Sequence, residues 1–183
     1  VKESTTSNTK FGFYNPETDL FSLIPTYDSI EKYNLNDELY VVSLDGILSV
    51  IDKNYTILST NIKEILDPEN DTYTLFTNDQ DVIGTLGADG IVIQAPKYNE
   101  VQALHDGLRI VVTPEGLYGY LDDATGSEII EPTYFGARPF SEGYAFVKRI
   151  DEDFGWNYID MDEVFISDTN YQEMFGTGSD FKL

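Results

Sequence analysis

Residues 118–134 read YGYLDDATGSEIIEPTY. An aromatic stands beside a glycine (Tyr118, Gly119), an apolar pair precedes an aspartate (Tyr120, Leu121, Asp122), and two isoleucines lead to Pro132 and Tyr134. Taken alone, the stretch looks like a site, with rings, carboxylates and glycine side by side. The rest of the chain changes that reading. A pattern of Pro or Thr, any residue, a Tyr-like residue, two more, then an apolar residue occurs at Pro25/Tyr27/Ile30, Thr60/Ile62/Ile65, Pro96/Tyr98/Val101, Pro132/Tyr134/Ala137 and Thr169/Tyr171/Met174. The lead positions 25, 60, 96, 132 and 169 are separated by 35, 36, 36 and 37 residues. A fixed period of this size marks a repeat architecture.

Two further elements keep the same phase. Ahead of each copy stands a first element: FGFYN from Phe11, LSVID from Leu48, IGTLG from Ile83, YGYLD from Tyr118 and WNYID from Trp156. Its second position is small or modest in size: Gly12, Ser49, Gly84, Gly119, Asn157. After the proline-containing second element comes a third: ELYVV from Glu38, TYTLF from Thr72, GLRIVV from Gly107, GYAFV from Gly143 and DFKL from Asp180. Each element is short and rich in Tyr, Phe, Val and Ile, as strands are. Tight turns such as Asp45-Gly46 and Pro114-Glu115-Gly116 join third elements to first ones, a hairpin signal. No window keeps a helical period.

The expected fold is all-β: five tandem three-stranded antiparallel meanders of about 36 residues, with third, first and second elements adjacent. Residues 1–10 read as a polar linker and 11–183 as a single repeat domain, with units near 11–46, 47–81, 82–116, 117–153 and 154–183. Strands such as RIVV and YAFV are apolar throughout, so both faces of each sheet should be covered by neighbouring sheets. A propeller-like ring and an open superhelical solenoid both satisfy this. Gly12, Gly84 and Gly119 suit close approach between sheets, and the prolines, lacking N–H, suit the end of ladder pairing.

These residues resemble the bacterial WG-containing (KWG-type) repeats, whose unit runs W-G-[YF]-I-D, a glycine turn, V-I-P-x-Y-D-x-[AI], then F-S-E-G-L-A-x-V. The fourth unit is most similar, through Tyr118-Gly119-Tyr120-Leu121-Asp122, Ile130-Glu131-Pro132-Thr133-Tyr134 and Phe140-Ser141-Glu142-Gly143-Tyr144-Ala145-Phe146-Val147. The second unit departs furthest, with Ser49, Thr60 and Ile62 at signature positions, and the fifth has Asn157 in place of glycine. The resemblance implies a bacterial interaction module, often exported or surface-associated, with no shared enzymatic activity.

Composition narrows the function. Of 183 residues, 33 are acidic and 11 basic, a formal charge of −22. Nucleic acid and anionic lipid both need a cationic surface, so neither is an expected partner. With no cysteine, thiolate catalysis, disulfides and Cys-based zinc sites are excluded. No apolar run is long enough to span a membrane. The polar start VKESTTSNTK reads as a linker, with a signal or lipoprotein-type anchor region expected upstream of Val1. An extracellular or cell-surface setting is the expectation, and a cytoplasmic one stays open.

No residue stands out as catalytic, cofactor-binding or metal-ligating. His105 is the only histidine, and no G-x-S-x-G motif accompanies it, so a surface position is expected. Asp52, Asp122 and Asp160 recur at one place in their units, which turn geometry explains, since Asp bonds nearby backbone N–H groups. The acidic clusters at 67–72, 151–155 and 160–163 miss the EF-hand spacing, so calcium is expected only as an adventitious ion. Tyr27, Tyr98, Tyr134 and Tyr171 could form a sugar-binding face, but Ile62 in the same slot indicates core. Trp156 fills a slot held elsewhere by Phe11, Leu48, Ile83 and Tyr118, which also indicates packing. Variation between units concentrates in the connections at 31–37, 66–70, 102–106, 138–142 and 175–179, where recognition would reside. The expected function is non-catalytic binding of a protein or polysaccharide. The alternatives are a carboxylate-based hydrolase and a structural spacer.

Overall fold

The computed structural model describes residues 9–68, 70–149 and 155–166, all of them strand, turn or irregular chain with no helix. The first sheet pairs β1 (Phe11–Asn15) with β2 (Leu20–Tyr27). The second has the order β3 (Ser29–Tyr33), β4 (Asn36–Leu44), β5 (Ile47–Ile51), β6 (Ile57–Ile62). The third runs β7 (Glu64–Ile65), β8 (Tyr73–Thr77), β9 (Ile83–Gly87), β10 (Val92–Tyr98). The fourth runs β11 (Glu100–His105), β12 (Leu108–Val112), β13 (Tyr118–Asp122), β14 (Glu128–Tyr134), and the fifth β15 (Gly136–Ala137), β16 (Tyr144–Lys148), β17 (Trp156–Asp160). By internal contacts the chain divides into two compact units, Val1–Pro96 and Lys97–Leu183, the division falling within β10.

The expected meander of third, first and second elements is present, for example as β12, β13 and β14. A fourth strand was missed. The second-element strand runs to Tyr27, Ile62, Tyr98 or Tyr134, bends at one residue, and continues as the outer strand of the following sheet. At each bend the corner residue's N–H already donates to that sheet: Asp28 to Ser43 O, Lys63 to Thr77 O, Asn99 to Val112 O and Phe135 to Lys148 O, each at 2.8 Å. The corner therefore leaves no backbone donor unpaired. This corrects the expected loops at 31–37 and 102–106, whose first residues are strand through Tyr33 and His105. The connection at 175–179, with Thr169, Tyr171, Met174 and the third element from Asp180, lies outside the described residues.

The glycines and prolines explain one another. Tyr118 pairs with Tyr134 and Tyr120 with Ile130, so Glu131, Pro132 and Thr133 together face Gly119. The same bulge sets Ile24, Pro25 and Thr26 against Gly12. An ideal Cβ on Gly119 would lie 2.5 Å from Ile130 O and 2.7 Å from Pro132 N. The close approach is thus between neighbouring strands of one sheet, not between sheets as the sequence suggested. Nor does proline end the ladder. It occupies the bulge, where the residue is unpaired and the absent N–H costs nothing, and pairing resumes at Tyr134. The second unit shows the converse. Leu48 pairs with Ile62 and Val50 with Ser59, so only Thr60 and Asn61 face Ser49. The shorter bulge leaves room for a side chain, and Ser49 Oγ bonds Thr60 Oγ1 at 2.8 Å.

Within Val1–Pro96, Tyr33, Leu39, Val50 and Ile62 pack against Phe76 and Leu86. The Tyr33 hydroxyl donates to Gly87 O at 2.9 Å, so the phenol is buried without an unmet donor. Within Lys97–Leu183, Leu108, Ile110, Tyr120 and Ile130 pack against Phe140, Ala145, Val147 and Ile159. Tyr120 meets Phe140 edge-on at 4.8 Å and donates to Arg138 O at 2.8 Å. Strand β12 is buried at every position, as its unbroken apolarity suggested, and its one charge, Arg109, is paired with Asp123.

Candidate functional site

The recurring aspartates cap turns. Asp52 Oδ1 accepts the N–H groups of Asn54 and Thr56, each at 2.8 Å, and these bonds hold its carboxyl below the usual range, the Thr56 bond most. Asp160 Oδ1 accepts those of Asp162 and Val164, and Asp122 holds the turn at Ala124 and Thr125. Among the described residues no three Asp, Glu or His side chains gather as metal ligands. The cluster at 151–154 lies outside those residues. His105 ends β11 exposed, beside the Asp106-Gly107 turn.

Of the recurring tyrosines, Tyr98 and Tyr134 are core and Tyr27 is half-buried, while Tyr171 lies outside the described residues. Tyr98 and Tyr134 are 0% and 4% exposed and donate to Glu128 and Glu163, each at 2.6 Å. Burial, then the adjacent carboxylates, pushes both phenols well above their ordinary range. Lys97 shares Glu128 at 2.7 Å, so that half-buried carboxylate is doubly held. Trp156 is packed on one side, stacked on Phe146 at 5.2 Å.

Two surfaces remain that structural duty does not absorb. In Val1–Pro96 a groove of about 740 Å³ is floored by Ile62, Phe76, Val92 and Pro96, with Ile47 at its lip and Asn61, Lys63, Asn78 and Asp79 on its rim. Phe76 is only 2% exposed, so the floor offers aliphatic pockets rather than a flat ring. Asn61 sits in the left-handed backbone region (φ 62°) at the β6 bulge. Nearby, Glu31 and Glu64 line a smaller recess of about 280 Å³ together with Lys32 and Lys63. In Lys97–Leu183 the second surface is one face of the fifth sheet, where Tyr144, Phe146 and Tyr158 border a recess of about 470 Å³ together with Arg138 and Glu142. Of the variable connections, 31–37 and 138–142 border these recesses, the first at Glu31 to Asn34 and the second at Arg138 to Glu142. The main groove was not legible: its lining comes from strand positions that also serve the core.

An all-β array whose successive sheets share a bent strand, with a glycine-on-bulge lock at Gly12, Gly84 and Gly119, defines a β-repeat protein. The family model of the WG containing repeat matches residues 118–151, so the stretch that opens at Tyr118 is a WG containing repeat. No curated protein matches the chain in sequence. Among solved structures, BamB from Moraxella catarrhalis is similar at 13% identity over 71% of this chain and 49% of that one, with a TM-score of 0.31. Hsv2 from Kluyveromyces lactis matches at 10% identity over 79% and 48%, with a TM-score of 0.32. The computationally designed Ika4 protein matches at 11% over 72% and 95%, with a TM-score of 0.28. The chain spans about half the length of the two natural proteins, and at such scores these likenesses carry no argument about function.

Proposed function

We propose that the chain is a non-catalytic recognition module, acting at the exterior of a bacterial cell, whose groove in Val1–Pro96 holds an extended segment of a protein partner. The observation that supports this most is the groove's make-up. Its aliphatic floor suits apolar side chains, and its rim carries the Asn61 amide, which can pair with a peptide backbone, while the Asn78 amide closes its own turn onto Gln80 and Val82. A polysaccharide is the weaker reading for this groove, because Phe76 presents no open ring face. The chain's charge of −22 favours a segment with basic flanks.

Selection from a displayed peptide library, with a glycan array in parallel, tests the reading. Peptides should be recovered, and Ile47→Asp, at an exposed lip position, should weaken the best of them at least about tenfold without lowering the melting temperature. Glycans alone, or peptides indifferent to Ile47, would refute it. The hydrolase reading has one observation in its favour, the Glu31/Glu64 recess. Turnover of aryl glycosides that Glu31→Gln or Glu64→Gln abolishes would establish it instead.

A further inference from the structure

We propose that Asn54 is an acceptor for N-linked oligosaccharide, which rests on the exterior location proposed above. The chain holds two Asn-x-Thr triplets, Asn54-Tyr55-Thr56 and Asn70-Asp71-Thr72, and spacing alone makes both of them candidates. Their settings differ. Asn54 and Thr56 are both exposed, at the hairpin tip between β5 and the edge strand β6. Asp52 caps that tip through the N–H groups of both residues, and their side chains lie within reach of the same carboxylate. The carboxamide and the hydroxyl therefore share one side of the turn. Tyr55, between them, is turned to the first sheet: its ring lies 5.2 Å from that of Phe13, and its hydroxyl donates to Ser22 Oγ at 2.8 Å. Asn70, by contrast, is half-buried. Its Oδ1 accepts from the Thr72 hydroxyl at 2.7 Å and from the N–H groups of Thr72 and Tyr73, so its triplet closes its own turn.

Turn chemistry does not account for the pair at 54 and 56. The same tip recurs at 87–91 and 160–164, where Gly90 N–H donates to Gly87 O and Glu163 N–H to Asp160 O, as Tyr55 N–H does to Asp52 O. There the place of Asn54 is held by Asp89 and Asp162, and that of Thr56 by Ile91 and Val164. The fold asks for a short polar side chain and a β-branched one. Of these three tips, only 52–56 pairs a carboxamide with a hydroxyl. A carboxamide nitrogen is a poor nucleophile, because its lone pair is shared with the carbonyl, so its transferase must grip the acceptor as well as the donor. The Thr56 hydroxyl is that grip. Asn54 Nδ2 attacks C1 of an oligosaccharide carried on a polyprenyl diphosphate. The Nδ2–C1 bond forms, the C1–O bond breaks, one amide proton passes to a carboxylate of the transferase, and the polyprenyl diphosphate leaves. The product is a bulky, solubilising group on an exposed turn.

The test incubates the folded 183-residue chain with a purified bacterial oligosaccharyltransferase and its polyprenyl-diphosphate-linked oligosaccharide, and maps the product by peptide mass spectrometry. A flexible Asp-x-Asn-x-Thr tag on the same chain reports that transfer is active. Asn54 should carry the glycan and Asn70 should not. Asn54→Gln and Thr56→Val should abolish it at that site, and Thr56→Ser should keep it. All three should melt with the parent, valine being the residue at the same place in 160–164. A bare Asn54 beside a glycosylated tag would overturn the proposal and leave the exterior location standing, since transfer in the tube does not depend on it. Glycan on Asn70 alone, or on Asn54 of the Thr56→Val chain, would overturn it too. Native protein found only in the cytoplasmic fraction would overturn both readings.

Discussion

Gly119→Ala is the sharpest test of how a sheet of this array is built. The added Cβ would stand 2.5 Å from Ile130 O, 2.7 Å from Pro132 N and 2.9 Å from Pro132 Cα. All three are backbone atoms, so no side chain can rotate away. Relief needs the bulge to move by about half an ångström or more, and Ile130 and Pro132 are both buried. Overpacking of this kind costs about 1–3 kcal/mol and sometimes more; a backbone clash belongs at the upper end. At about 2–4 °C per kcal/mol for a chain of this length, the melting temperature should fall by roughly 6–12 °C. Ser49→Ala is the control, since it removes one side-chain hydrogen bond to Thr60, worth about 1 kcal/mol. Thermal unfolding followed by circular dichroism reads both. Gly119 has no left-handed φ to protect. Without the clash, then, alanine should stabilise by about 0.4–1 kcal/mol through the unfolded chain. A Gly119→Ala protein as stable as the parent, or more so, would refute the bulge lock.

Asp123→Ala should destabilise by about 1–3 kcal/mol, because it removes the carboxylate that accepts from the Arg109 guanidinium buried in β12. Replacing Arg109 by Met in the same background should recover much of the loss, and equal denaturant midpoints for parent and Asp123→Ala would contradict it. Tyr33, Tyr98, Tyr120 and Tyr134 all have phenols raised by burial. A raised folded-state pKa contributes stability that is complete below the unfolded value near 10 and lost as pH climbs above it. Ultraviolet titration should therefore show the exposed tyrosines ionising first, with these four following only as the fold opens. A single smooth transition for all 13 tyrosines, with no unfolding, would be the contrary result.

Much of this was legible in the sequence because it rests on local chemistry that repeats. Gly119 and Pro132 recur at a fixed interval since each is needed by the same bulge, and Asp52, Asp122 and Asp160 recur since each closes a turn with its own backbone. What stayed hidden is non-local. The outer strands looked like loops because segments such as SIEKY alternate weakly and abut a corner that no glycine or proline marks. Exposure of Tyr144 and Tyr158 could not be read at all, as the same positions in other units carry residues of the same character and are buried. The aliphatic groove drew on Ile62 and Phe76, core residues by every sequence criterion.

The strand that turns a corner also governs how such a gene can change length. Every sheet after the first draws its strands from two successive sequence units, yet third elements are always followed by first ones. Excising 118–155 would bring β12 directly before β17, the same succession of element types that β12 now forms with β13 and β16 with β17. Copies can thus be gained or lost at any starting phase without leaving a torn sheet. Recombination between repeats becomes a source of arrays of different length rather than of misfolded chains.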